Sequence, residues 1–174
     1  MEYIFQILLV LIPSTAVFLT AYLLIRNYFQ NERKQRSFEI KKEDRSTILP
    51  MRLQAYERCV LFLERISTGN LVLRVHKSHL TSKMLHTELV RTIREEFDHN
   101  ITQQIYLSDT AWEQVKWAKE ETIKLINLAS EKVPEGSSGV ELSKKIFEFA
   151  SELSVQPSQE AIIYLRKEAR NAFM

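Results

Sequence analysis

The sequence predicts an all-α protein: one N-terminal transmembrane helix followed by a cytoplasmic antiparallel bundle of about five helices. Three observations lead there. The 174 residues include only three glycines and four prolines, while 26% are charged and 45% hydrophobic, a balance that favours long helices over a many-turned β fold. Tyr3 to Ile25 carry no charge at all. Beyond about residue 50, apolar side chains return every three or four positions, the period of a helix with one buried face. The expected organisation is an anchor over residues 1–25, a basic helical neck or connector over 26–48, and a cytoplasmic helical domain over 49–174.

The anchor is "YIFQILLVLIPSTAVFLTAYLLI". At about 1.5 Å per helical residue it reaches roughly 35 Å, enough to cross a hydrocarbon layer of about 30 Å with some tilt. A cleaved signal peptide would carry a basic leader and a shorter apolar core. Here Glu2 alone is charged before the segment, and no cysteine stands nearby to accept a lipid, so the expectation is an uncleaved anchor. Pro13 removes one backbone hydrogen bond, which Ser14 and Thr15 help to re-satisfy. Ser14, Ala16 and Thr20 are either ordinary anchor residues or small residues at a helix–helix contact. With no ionisable group inside the span, a proton or ion pathway has no carrier.

The neck sets the expected orientation. Arg26, Arg33, Lys34, Arg36, Lys41, Lys42 and Arg45 follow the span, whereas nothing basic precedes it. Basic flanks stay inside and acids count little, so the N-terminus is expected outside an inner (plasma) membrane and the remainder in the cytoplasm. Tyr3 and Phe5 at one end, with Tyr22, Tyr28 and Phe29 at the other, suit interfacial aromatic belts. Arg33, Lys34 and Arg36 are the candidate contacts to anionic lipid head groups; the alternative is that they only retain the segment inside.

The first domain helix is expected from Pro50, in "MRLQAYERCVLFLERISTGN". Stepping 100° per residue puts Ala55, Tyr56, Cys59, Val60, Phe62, Leu63 and Ile66 in one half of the wheel, with Leu53 at its edge. Gln54, Glu57, Arg58, Glu64 and Arg65 oppose them, and Leu61 breaks the division. Cys59 thus falls on the apolar side, where a free cysteine behaves as a small hydrophobe. Gly69 is placed where a helix C-terminus wants a left-handed residue. "NLVLRV" then reads as an extended connector or a short helix.

A second helix is expected from Leu80 to Asp98, with Leu85, Leu89, Ile93 and Phe97 at four-residue spacing. A third, Asp109 to Lys132, has a stripe of Ala111, Val115, Ala118, Ile126, Ala129 and Val133, with Trp112 and Leu125 at its borders. Lys116, Glu120 and Lys124 suggest an i, i+4 ladder on its far side. Trp117 and Leu128 fall off the stripe, three turns apart and close in angle; they contact either another helix of the domain or a partner protein. After "PEGSSG", Ser138 and Glu141 have capping-box spacing for a helix through Leu153. Pro157 opens the last helix, whose Ala161, Ile162, Leu165, Ala169, Ala172 and Phe173 share a face flanked by Arg166, Lys167 and Arg170.

Chemistry finds little purchase. One cysteine excludes an intrachain disulfide. His76, His79 and His86 are the nearest approach to a metal site, but no cysteine or paired carboxylate completes it at recognised spacing, so no metal is expected. Glu95, Glu96 and Asp98 resemble a carboxylate site, yet adjacent helical residues diverge by 100°. There is no glycine-rich phosphate loop, G-x-S-x-G or H-E-x-x-H: no catalytic residue, cofactor or small-molecule substrate is identified. A net charge of +2 with mixed signs argues against nucleic acid.

At "MRLQAYERCVLFLERISTGNLVLRV" and again at "SQEAIIYLRKEARNAF" the chain resembles an uncharacterised family of small, N-terminally membrane-anchored proteins from Bacteroidota. Leu53 to Arg58 carry the most specific part. The resemblance implies an all-helical, membrane-tethered protein and supplies no activity or binding residues. The expected function is a membrane-tethered interaction module, a scaffold or accessory subunit of an envelope complex without catalysis. Its partners would be the lipid bilayer and another membrane or cytoplasmic protein. The alternative is a lipid-surface or signal-sensing regulator acting through the basic neck.

Overall fold

The computed structural model describes the backbone of residues 2–173, with side chains described for Thr15, 18–30, Glu32 and 48–172. The described residues form seven helices and no strand: α1 (Glu2–Ile66), α2 (Thr68–Val75), α3 (Ser82–Asp98), a 3₁₀ turn (Ile101–Ile105), α4 (Asp109–Glu131), α5 (Gly139–Glu152) and α6 (Pro157–Phe173). The chain divides into two compact units, Met1–Ile48 and Leu49–Met174. In the first, Phe18, Tyr22, Leu24, Tyr28 and Phe29 are all exposed, and the Tyr28 and Phe29 rings meet edge to face at 6.1 Å. Among the described residues, no helix is long and apolar enough to cross a membrane. The expected span, Tyr3–Ile25, falls largely on residues whose side chains lie outside the described set.

In the second unit α4 is the central helix, packing on α3, α5 and α6, while α2 fills in against α3 and α5. The C-terminal part of α1 buries Ala55, Tyr56, Cys59, Phe62, Leu63 and Ile66, the apolar half of the wheel, and Leu61 is exposed as the odd position. Phe62, Phe97 and Trp112 then join α1, α3 and α4. The first two rings are 5.9 Å apart and the last two stack at 5.3 Å, and Lys119 Nζ lies 4.2 Å from the Phe97 centroid, a cation–π contact.

The ends of α3 and α5 are tied by backbone as well as caps. Thr81 Oγ1 accepts from Met84 N–H, and Ser138 and Glu141 form the expected capping box. Between these caps runs an isolated antiparallel bridge, in which Ser82 N–H donates to Ser137 O and Gly139 N–H to Leu80 O, each at 2.9 Å. A Cβ on Gly139 would lie 2.9 Å from Leu80 O, so the bridge needs glycine there. Gly136, with φ +83°, makes the preceding turn.

Several sequence expectations change. The bundle has more elements than the expected five, because "TGNLVLRV" is the helix α2 and Ile101–Ile105 is a 3₁₀ turn. Thr68, Leu71, Val72 and Val75 are buried along one face of α2; this register selects the short helix of the two alternatives the sequence left open. Gly69 lies inside that helix without positive φ and is not the cap of the helix before. Pro50 is interior to α1, not its first turn. Trp112 and Leu125 are core rather than border residues, and Leu153 is exposed as the C-cap of α5. The i, i+4 ladder on α4 is instead a set of nearer pairs, Lys116–Glu113, Lys119–Glu120 and Lys124–Glu121.

Candidate functional sites

Cys59 is fully buried, and burial alone pushes its thiol up to about 12, the opposite of what a reactive thiolate needs. Tyr56, one turn earlier, donates its hydroxyl to Glu168 on α6. Burial first, and then this carboxylate, raise its phenol to about 12. The Tyr56–Glu168 hydrogen bond fastens α1 to α6.

Beside that link lies an apolar groove of about 590 Å³. Leu49, Pro50, Leu53 and Val60 form the α1 wall, Leu165 and Ala169 the α6 wall, and Tyr56 lines it as well. Charge is confined to Glu57 on α1 and to Arg166 and Arg170 on α6. Leu53 is exposed although it stands on the edge of the core stripe, and so is Leu49 one turn before it. The groove was visible in the sequence only as Leu53 at the margin of the wheel and as the arginines flanking the α6 face. Nothing in either helix alone showed that the two margins meet.

A second cavity, about 760 Å³, opens between the end of α1, α2 and α3. Glu96 sits at one end, 18% exposed, accepting from Arg65 Nε at 2.8 Å and from Arg74 Nη1 at 3.0 Å. The hydrogen bond from Arg65 is the chief reason its carboxyl is held below the usual range. Arg74 also donates to the Arg65 backbone carbonyl, so both guanidinium groups are fixed in place. Lys77, His79 and Lys83 line the remainder.

The sequence candidates are dispersed. Trp117 is 38% and Leu128 45% exposed; they lie on α4, 11 residues apart, about 16 Å along the axis at 1.5 Å per residue. Arg33, Lys34 and Arg36 lie outside the residues whose side chains are described. Of the histidines, His79 lines the basic cavity, while His86 is bonded to Asn127 at 2.8 Å and borders a separate cavity of about 670 Å³. Among the described residues no three His, Cys, Asp or Glu side chains are placed to hold a metal ion. Glu95 pairs with Arg91 while Glu96 turns to Arg65 and Arg74, the divergence expected of neighbours on a helix.

The chain matches a family of unknown function (DUF7935) over residues 2–172. It belongs to the DUF7935 family. That family match carries no activity, ligand or partner with it, so any function must be argued from the sites of this DUF7935 chain. No curated protein and no solved structure matches it.

Proposed function

We propose that this DUF7935 protein is a membrane-tethered interaction module, a non-catalytic scaffold or accessory subunit of a bacterial envelope complex of the Bacteroidota kind. The apolar groove between α1 and α6 would receive an amphipathic helix of a partner protein. The groove carries this reading: two helices form its walls, its lining is almost wholly apolar, and charge is confined to the rim. That is the setting in which an amphipathic helix lays its apolar face between two others. Arg166 and Arg170, one turn apart, line the groove with Glu57 as the one acidic residue among its described lining, so a partner helix with acidic flanks is the complementary one. Trp117 and Leu128 are single exposed side chains of a kind common on surfaces and take a secondary place as partner contacts.

Tethering is supported by the uncharged run Tyr3–Ile25 and by the exposed apolar side chains from Phe18 to Phe29, since a helix apolar all round belongs in a protein core or a membrane. The basic neck orients this anchor with residues 26–174 in the cytoplasm and the N-terminus outside the inner membrane. In-cell photocrosslinking from Leu53, with mapping of the joined peptide, tests the proposal. An adduct to an acidic amphipathic helix of a second protein is expected. Adducts to lipid alone, to a second copy of this chain, or to nothing would overturn it.

A further inference from the structure

The basic cavity is independent of the groove and has its own charge balance. Four basic side chains line it (Arg65, Arg74, Lys77 and Lys83) against two carboxylates, Glu88 and Glu96. Both carboxylates are already engaged, Glu96 by the two arginines and Glu88 by Arg91 from the next turn of α3. Lys77 and Lys83 have no ion-pair partner among the described residues. Lys77 is near enough to Glu88 to help hold that carboxyl low, but Glu88 is ion-paired to Arg91. The lining therefore keeps a positive excess around one concave surface, beside guanidinium groups that Glu96 and the Arg65 carbonyl hold in position. Val75, Leu80 and Met84 add an apolar wall.

We propose that this cavity binds a phosphomonoester: its phosphate sits at Lys77 and Lys83, next to the arginine pair, and its organic body lies against Val75, Leu80 and Met84. A phosphomonoester carries about −1.5 to −2 at neutral pH, which matches the positive excess better than a monoanionic carboxylate does. Fixed guanidinium groups lose little freedom on receiving an anion, and the cavity's volume exceeds that of phosphate alone, leaving room for the rest of the molecule. The same chemistry serves a lipid head group or a dissolved phosphorylated metabolite.

Titration calorimetry on the full chain in zwitterionic detergent micelles tests this, with glycerol 3-phosphate as the dissolved probe and dihexanoyl phosphatidic acid as the lipid probe. Saturable binding of one probe per chain is expected. Glycerol 3-phosphate binding comparably to the lipid supports a dissolved ligand, and binding of phosphatidic acid alone supports a lipid head group. The double variant K77Q/K83Q should weaken the affinity by roughly tenfold or more, the scale of losing charge-assisted hydrogen bonds. K116Q/K124Q, which removes the same charge from α4, should change it by no more than about twofold. Both lysines of the cavity are exposed, so K77Q/K83Q should melt like the wild type. Failure of both probes to saturate, or equal affinity in K77Q/K83Q and the wild type, would overturn the proposal.

Discussion

Cys59 makes the residue-scale argument concrete, because its neighbours in sequence are charged while its neighbours in space are not. Glu57 and Arg58 are exposed, whereas Cys59 is wholly buried. Its folded pKa, near 12 against an ordinary 9.0, is raised. The stability it contributes is therefore fully present below about pH 9 and drains away as pH rises from there towards 12. A thiol-reactive disulfide reagent should label Cys59 at pH 8 at the rate of global unfolding; labelling within seconds in the native protein would contradict the burial. Cys59→Ser should cost about 1–3 kcal/mol in a denaturant melt, since it places a hydroxyl in an apolar site. The two helix glycines separate in sign. At Gly69 a Cβ would meet nothing within 4 Å, while at Gly139 it would meet Leu80 O at 2.9 Å. Gly69→Ala should stabilise by about 0.5–1 kcal/mol and Gly139→Ala should destabilise, both read as shifts of the unfolding midpoint. A wheel drawn on the sequence assigns Cys59 to the core, yet places Gly69 at a helix end, because a glycine's role depends on φ and on neighbours distant in the chain.

Among elements, α5 and α6 show what their first turns contribute. Ser138→Ala removes the capping box and should cost about 1 kcal/mol. Ser158, in the first turn of α6, is buried with its hydroxyl unpartnered among the described residues, so Ser158→Ala should be neutral or stabilising by up to about 1 kcal/mol. Equal losses from both variants in thermal unfolding would contradict the distinction. The capping box could be read from three-residue spacing alone, as could the stripes of α3 and α4, because they rest on local period and local caps. The choice between short helix and extended connector for α2, and the pairing of Lys116, Lys119 and Lys124, could not. The first depends on burial against α3 and α5, and the second on rotamers that select Glu113 for Lys116 and Glu121 for Lys124, each three residues away, but the adjacent Glu120 for Lys119.

For the whole molecule, the all-helical architecture follows from composition and period, while its two candidate sites do not. Each is assembled from margins: Leu53 with Ala169 across the groove, Arg65 with Arg74 and Glu96 at the cavity. A margin in a single helix looks like ordinary surface until a second helix is laid beside it. The Glu96 network also ties the end of α1 to α2 and α3. Its carboxyl is held low by Arg65 and then Arg74, so the stability it adds is present above the ordinary carboxyl value of 4.5 and is lost as pH falls through its depressed folded value. Because these groups are partly exposed, Glu96→Gln should cost only about 1 kcal/mol near pH 7, with the difference from the wild type shrinking in melts at progressively lower pH. The most direct measurement of the central claim is photocrosslinking from Leu53 in cells, repeated in an Arg166→Glu/Arg170→Glu background. The account predicts a discrete adduct to an acidic amphipathic helix of another protein, lost on charge reversal while the folded domain persists; an adduct indifferent to that reversal, or none at all, would contradict it.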